Sequence, residues 1–256
     1  MTVKRAANLL KAQTKIVEFK HITKILGLKR VNLGLVESIL LTSPHQNVLE
    51  RTAGFLRFKA MQGNNSAFQI LKKAVDEKVN QNPMSRFCSM MELMDMVYYE
   101  GIELLPSFVL GANDSYYRVR MASARGLRDL ARKGVKETVS SLFKLANDQY
   151  LDARKIASEG NLLLAKQGVK EAMPGLIVAL IDSNHGTQVG KEAHTNGKEG
   201  LNALTNLGVN VFPTLVKVYK NKKARRDEKM RILDFIQTHV REKNTNAIKA
   251  YDGVRQ

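Results

Sequence analysis

Residues 131–148, ARKGVKETVSSLFKLAND, have a near-copy at 165–182, AKQGVKEAMPGLIVALID. A period of about 34 residues belongs to arrays of one repeated supersecondary unit rather than to a single globular core. Asp114, Asp148 and Asp182 fall at equal steps, Tyr116 matches Tyr150, and Arg120 matches Arg154. Gly126 and Gly134 match Gly160 and Gly168, and Gly200 and Gly208 keep the same spacing as each of those pairs. The pattern continues with slips into GIELLPSFVLGAND at 101–114 and EGLNALTNLGVNVFPTLV at 199–216.

Each unit reads as two helices. At about 100° per residue, Val119, Ser123, Ala124, Leu127 and Leu130 gather on one side of 116–132, and Arg118, Arg125, Arg128 and Arg132 on the other. The shorter helix, 135–146, sets Val135, Val139, Leu142, Phe143 and Ala146 on its apolar side. Gly134, Gly168 and Gly208 sit where the longer helix should end, as C-terminal caps do. Pro106, Pro174 and Pro213 recur early in the shorter helix, where a missing N–H matters least. No stretch alternates in the manner of a strand. A helix pair cannot bury its apolar face alone, so stacked pairs must share a core. The expectation is an all-α solenoid over 1–256: a leading, capping helix within 1–27, helix pairs over 28–241 and a tail at 242–256. Pairs are placed near 28–62, 64–99, 102–132, 135–166, 169–207 and 209–241.

Asp and Arg six positions apart, at Asp114/Arg120 and Asp148/Arg154, resemble the signature of HEAT repeats, and Asn80/Arg86 resembles the same pair with Asn for Asp. The resemblance covers roughly 65–240. It implies a right-handed superhelix of about five to six pairs, with the second helices lining an inner surface. It also implies that Asp and Arg form a ladder between neighbouring units, so these charges are structural. Asp182 departs from the pattern, with Gln188 in the place of the Arg, and a break in the ladder is expected there. The helix that follows, 187–207, is longer than its counterparts, and the glycine-rich run 183–200 reads as a loop and frayed helix start.

The formal charge is +17, which favours polyanionic partners. It is concentrated: 1–30 is net +7 and 217–243 net +6. Candidate phosphate contacts are Lys4, Arg5, Lys11 and Lys15 at one end and Lys220, Lys222, Lys223, Arg225 and Arg226 at the other, beside Tyr219. A solvated capping helix and a solvated turn are the bland alternatives. A second candidate surface is the expected inner groove, with Met84, Met91, Met94 and Tyr98 as an adaptable protein contact. Arg118 and Arg125 belong to the same surface, where register pairs them with Asp152 and Glu159 across neighbouring helices.

Catalytic motifs are missing. The five His lack metal-ligand spacing, no phosphate-cradling G-x-x-x-x-G-K-[ST] loop occurs, and no G-x-S-x-G elbow occurs. No catalytic residue, metal site or cofactor is expected. The single cysteine, Cys88, reads as a core residue in a reducing, cytoplasmic setting. No run of about 18 apolar residues is present for a membrane span. The basic start lacks the apolar core of a secretory signal; its freedom from acids up to Glu18 is also a mitochondrial-presequence composition. The expected function is therefore non-enzymatic binding of nucleic acid, RNA or DNA, or of a ribonucleoprotein. The alternative is a protein scaffold. A lesser alternative is a HEAT-like alkylation-repair DNA glycosylase, with Tyr98, Tyr99, Tyr116 and Tyr117 in place of tryptophans. Bilin lyases also resemble HEAT repeats, but nothing in this sequence marks a chromophore site.

Overall fold

A computed structural model describes residues 32–255 apart from 183 and 185. The expected leading helix, with Lys4, Arg5, Lys11 and Lys15, lies outside the described residues. Among the described residues every regular element is a helix. The chain divides into two compact units, 1–123 and 124–256, and the division falls within one helix.

The first unit contains α1 (Leu33–Thr42), α2 (Gln46–Met61), α3 (Asn65–Ala74), α4 (Pro83–Asp95), α5 (Val97–Glu100), α6 (Leu105–Gly111) and the start of α7 (Tyr117–Arg132). Asparagine sets three of these starts. Asn32, Asn64 and Asn82 each turn a side-chain oxygen onto the free N–H groups of the first helical turn. Pro83 follows Asn82 at the position where its missing N–H costs nothing. The expected pair 64–99 is not one uninterrupted second helix: α4 stops at Asp95, and α5 and a 3₁₀ turn, Gly101–Leu104, lead into α6.

The second unit contains α8 (Val139–Ala146), α9 (Leu151–Lys166), α10 (Met173–Leu180), α11 (Gln188–Asn206), α12 (Phe212–Tyr219), α13 (Arg226–Arg241) and α14 (Thr245–Arg255). The stretch read as a tail thus carries α14, whose Ala247 and Ala250 join a core with Leu204, Phe212, Leu215 and Phe235. Tyr251 and Val254 pack against the same core, so 247, 250, 251 and 254 form one apolar stripe at helical spacing.

Leu142 and Ala146 are buried as expected, but Phe143 is 41% exposed, and Thr138, Ser141 and Leu145 are buried in its stead. A 3₁₀ turn, Lys136–Thr138, precedes α8. The next hairpin repeats the 3₁₀ turn, at Lys170–Ala172, but there Ile177, the counterpart of Phe143, is buried together with Ala172, Gly175, Leu176 and Ala179.

Gly134, Gly168 and Gly208 all cap helices at φ between 82° and 85°. After each, the next N–H reaches back to close the last turn: Val135 to Leu130 O, Val169 to Leu164 O, and Val209 to Leu204 O at 2.9–3.1 Å. Gly63 and, with a side chain, Lys243 do the same, through Asn64 to Lys59 O and Asn244 to His239 O. The earlier glycine serves packing in two of the matched pairs. Gly160 faces Leu142, and Gly200 faces Leu176. At Gly197 the approach is backbone to backbone: a Cβ there would stand 2.5 Å from Leu180 N and 2.6 Å from Leu176 O. The run 183–200 is therefore not a frayed start. Thr187 caps α11 by accepting from Gly190 N at 3.1 Å, and the glycines let α11 lie against α10.

Candidate nucleic-acid and partner interfaces

The charges that repeat are bound to one another. Arg86, 2% exposed, donates from Nε and Nη2 to the two oxygens of Asp114 at 2.7 and 2.8 Å, and from Nη1 to Asn80 O at 2.9 Å. In the second unit Arg154 donates to Asp182 at 2.7 and 3.3 Å and to Asp148 O at 2.9 Å. Both pairs take the same step along the chain, and the guanidinium joins its own turn to the next. Bidentate, charge-assisted bonds of this kind tie each guanidinium to a carboxylate and mark it as structural. Burial pulls Asp182 up, but hydrogen bonds from Arg154 and the Asn184 N–H outweigh it and hold the carboxyl below its ordinary range.

The break expected at Gln188 is filled from elsewhere. Arg231, on α13, donates from Nη1 to Ile181 O at 2.7 Å and Asp182 O at 2.6 Å. It replaces the contact that Arg154 makes to the carbonyls of its own turn.

The basic turn 220–225 joins α12 to α13. Lys220, Lys222, Lys223, Arg225 and Arg226 are all exposed. Arg225 differs from the rest: Glu228 accepts from its backbone N–H at 3.0 Å and from its Nε at 2.8 Å, so this cation is consumed in starting α13. Lys220, Lys222, Lys223 and Arg226 make no ion pair among the described residues. Lys229 lies 5.9 Å above the Tyr219 ring, so that face of the ring is covered.

On the first unit, Met84, Met91 and Met94 are half-buried along α4, and Tyr98 is exposed. Arg118 is half-exposed and donates to Tyr117 Oη at 3.1 Å, over whose ring it also lies. Arg125 is not the partner of Glu159. Arg128, one turn on, holds Glu159 at 2.9 Å and Asp129 at 3.1 Å. The reach of a side chain toward the helix N-terminus shifts contacts by a turn relative to bare register.

The four tyrosines expected of an aromatic cage form two separate pairs. Tyr116 and Tyr117 stack edge-to-face beside Asp114, at the start of α4 where Arg86 lies. Tyr98 and Tyr99 follow the far end of that 13-residue helix, about 20 Å away. An open cavity is lined by Val75, Asp76, Glu77, Lys78, Leu110 and Asn113. Its Glu77 is held below the ordinary range by the Ser115 hydroxyl and also pairs with Arg86 at 3.5 Å. Cys88 is buried, and its thiol is pushed up to about 12 by burial and by Glu50 and Glu92, so it is protonated and unreactive at neutral pH. Among the described residues no three His, Cys, Asp or Glu gather to hold a metal, and no helix is long and apolar enough to cross a membrane.

No protein-family model matches this chain, and no relative is found among curated proteins.

Proposed function

We propose that the chain is a HEAT-like α-solenoid, right-handed and of about five to six pairs, that binds nucleic acid or a ribonucleoprotein without catalysis in a reducing, cytoplasmic setting. The observation that carries this reading is the state of the turn 220–226. Four cations there face solvent with no carboxylate partner among the described residues, while the two adjacent acids are engaged elsewhere, Glu228 with Arg225 and Asp227 with Arg225 and Arg231. Residues 124–256 carry 24 Lys or Arg against 14 Asp or Glu, so neighbouring acids do not cancel the field. Unpaired cations in a turn suit phosphates, whose spacing they meet without reading base sequence. Lys4, Arg5, Lys11 and Lys15 are the second basic cluster of this reading.

A second reading, a scaffold that takes a protein partner, is supported by the half-covered methionines Met84, Met91 and Met94 beside exposed Tyr98. Charge reversal separates the two. Lys222→Glu with Lys223→Glu lowers affinity for a duplex DNA or RNA hairpin at least tenfold if the basic turn is the contact. Met91→Gln with Met94→Gln leaves that affinity unchanged. The opposite ranking transfers the function to the methionine surface.

A further inference from the structure

The basic turn 220–225 has an aromatic ring at its root. Tyr219, the last residue of α12, is half-buried: it packs against the core of Phe212, Leu215 and Phe235, and the rest of its side chain is open to solvent. A cation lies over the ring, and it comes from the far side of the turn. Lys72 over Phe68 and Arg255 over Tyr251 are pairs four residues apart on one helix. Lys229 instead reaches Tyr219 from α13, 5.9 Å from the ring centre. The face that Lys229 covers is therefore turned toward α13, between the two arms of the basic hairpin. The start of α13 is held in place. Asp227 stands 3.8 Å from Arg225 Nε and 3.4 Å from Arg231 Nη2, and Arg231 holds the carbonyls of Ile181 and Asp182. Glu228 holds Arg225. Both acids of the hairpin are used in this anchoring.

Lys229 makes no ion pair among the described residues. Its contact with the ring is at the outer limit of a cation–π interaction and is therefore weak. Residues 217–231 carry eight Lys or Arg against two acids. A duplex offers such a hairpin only its phosphates, because its bases are stacked on one another. An unpaired strand offers phosphates and, beside them, the faces of its bases. A half-covered ring among unpaired cations thus has a partner in a single strand that it lacks in a duplex. A base takes the place of the Lys229 ammonium on the ring, and the freed ammonium joins Lys220, Lys222, Lys223 and Arg226 at the phosphates.

We infer that the basic turn prefers single-stranded nucleic acid, with Tyr219 as the stacking platform for one unpaired base. The inference rests on the assignment of nucleic acid to this turn: phosphate contact serves duplex and single strand alike, and the ring adds a contact that only an unpaired base can make. The test measures affinity of the full chain for oligo(dT), oligo(U) and a duplex DNA of the same length, at one salt concentration. Both single strands should bind about tenfold tighter than the duplex. Tyr219→Leu, which keeps an apolar group against the core, should remove most of that preference and leave duplex affinity within twofold. Tyr219→Phe should keep the preference. Irradiating the unaltered protein with oligo(U) that carries 5-iodouridine should attach the strand at Tyr219, which checks the contact without a substitution. Duplex binding as tight as that of the single strands, or a crosslink that maps elsewhere, would overturn the inference and leave phosphate contact by the turn standing. No binding of any probe at low salt would remove the nucleic-acid reading, and this inference with it.

Discussion

The two units use the same rung and differ in what they hang on their turns. Arg86–Asp114 in the first and Arg154–Asp182 in the second are the same guanidinium-to-carboxylate bond, made over the same step along the chain. Around that shared frame, residues 32–123 carry nine Lys or Arg and nine Asp or Glu, whereas 124–256 carry an excess of ten cations. The turn at 96–104 presents aromatic and acidic groups, and the turn at 220–225 presents lysines. A buried charge left unpaired is costly, so the interior rung repeats. Exposed turns carry no such obligation, and the chemistry that differs between the units is found there.

The largest expected effect breaks a rung. Asp114→Ala leaves the Arg86 charge buried without its counterion and should cost about 3–5 kcal/mol in urea unfolding. Asp182→Ala should cost less, about 1–3 kcal/mol. Arg154 is more open to water, at 13% exposure against 2% for Arg86, and keeps its bond to Asp148 O. Equal losses would mean that the two rungs are equally buried in solution. A smaller effect separates glycines used for packing from glycines used for turning. Gly197→Ala, pressed on the backbone of α10, should cost about 1–3 kcal/mol. Gly208→Ala, with open space but φ 82°, should cost about 1 kcal/mol.

The smallest effect is in pH, and here the units have opposite signs. Asp182 is held below its ordinary range, so its stabilisation is present above the unfolded value, about 3.9, and is lost as pH falls through the lower folded value. Glu92 is raised, by burial first and by Asp95 and Glu50, against the pull of Arg57. The folded state then prefers the protonated form, so stability declines as pH rises from about 4.3 through the folded value. Hydrogen exchange resolved by region should show α9 and α10 loosening in acid and α4 tightening. Asp182→Asn and Glu92→Gln should each flatten the response of their own unit.

Much of the frame was legible in the sequence. Gly134, Gly168 and Gly208 announced the ends of helices, and the alternation of arginines with small residues over 117–132 gave the buried stripe of α7. Three features were hidden for physical reasons. Phe143 lies at the surface because part of the buried stripe beside it is carried by Thr138 and Ser141, whose polar side chains do not mark a core face in the sequence. Glu159 chose Arg128 over Arg125 because side-chain reach, not register, selects partners. Arg231 completes the turn at Asp182 from far along the chain, a contact set by how α13 packs rather than by any local pattern. The candidate site was half legible. The cluster 220–226 stands out as a charge run, but that Glu228 withdraws Arg225 from it follows from the capping geometry of α13.

The most direct test is a salt titration of binding to duplex DNA and to a structured RNA. Engagement through the basic ends predicts strong binding at low salt, with log K falling against log salt at a slope of about −4 or steeper. Reversing Lys222, Lys223 and Arg226 to Glu should then bring that slope toward zero by about 3. Absence of binding at low salt, or a slope that the reversal leaves unchanged, would contradict the assignment of function to this turn.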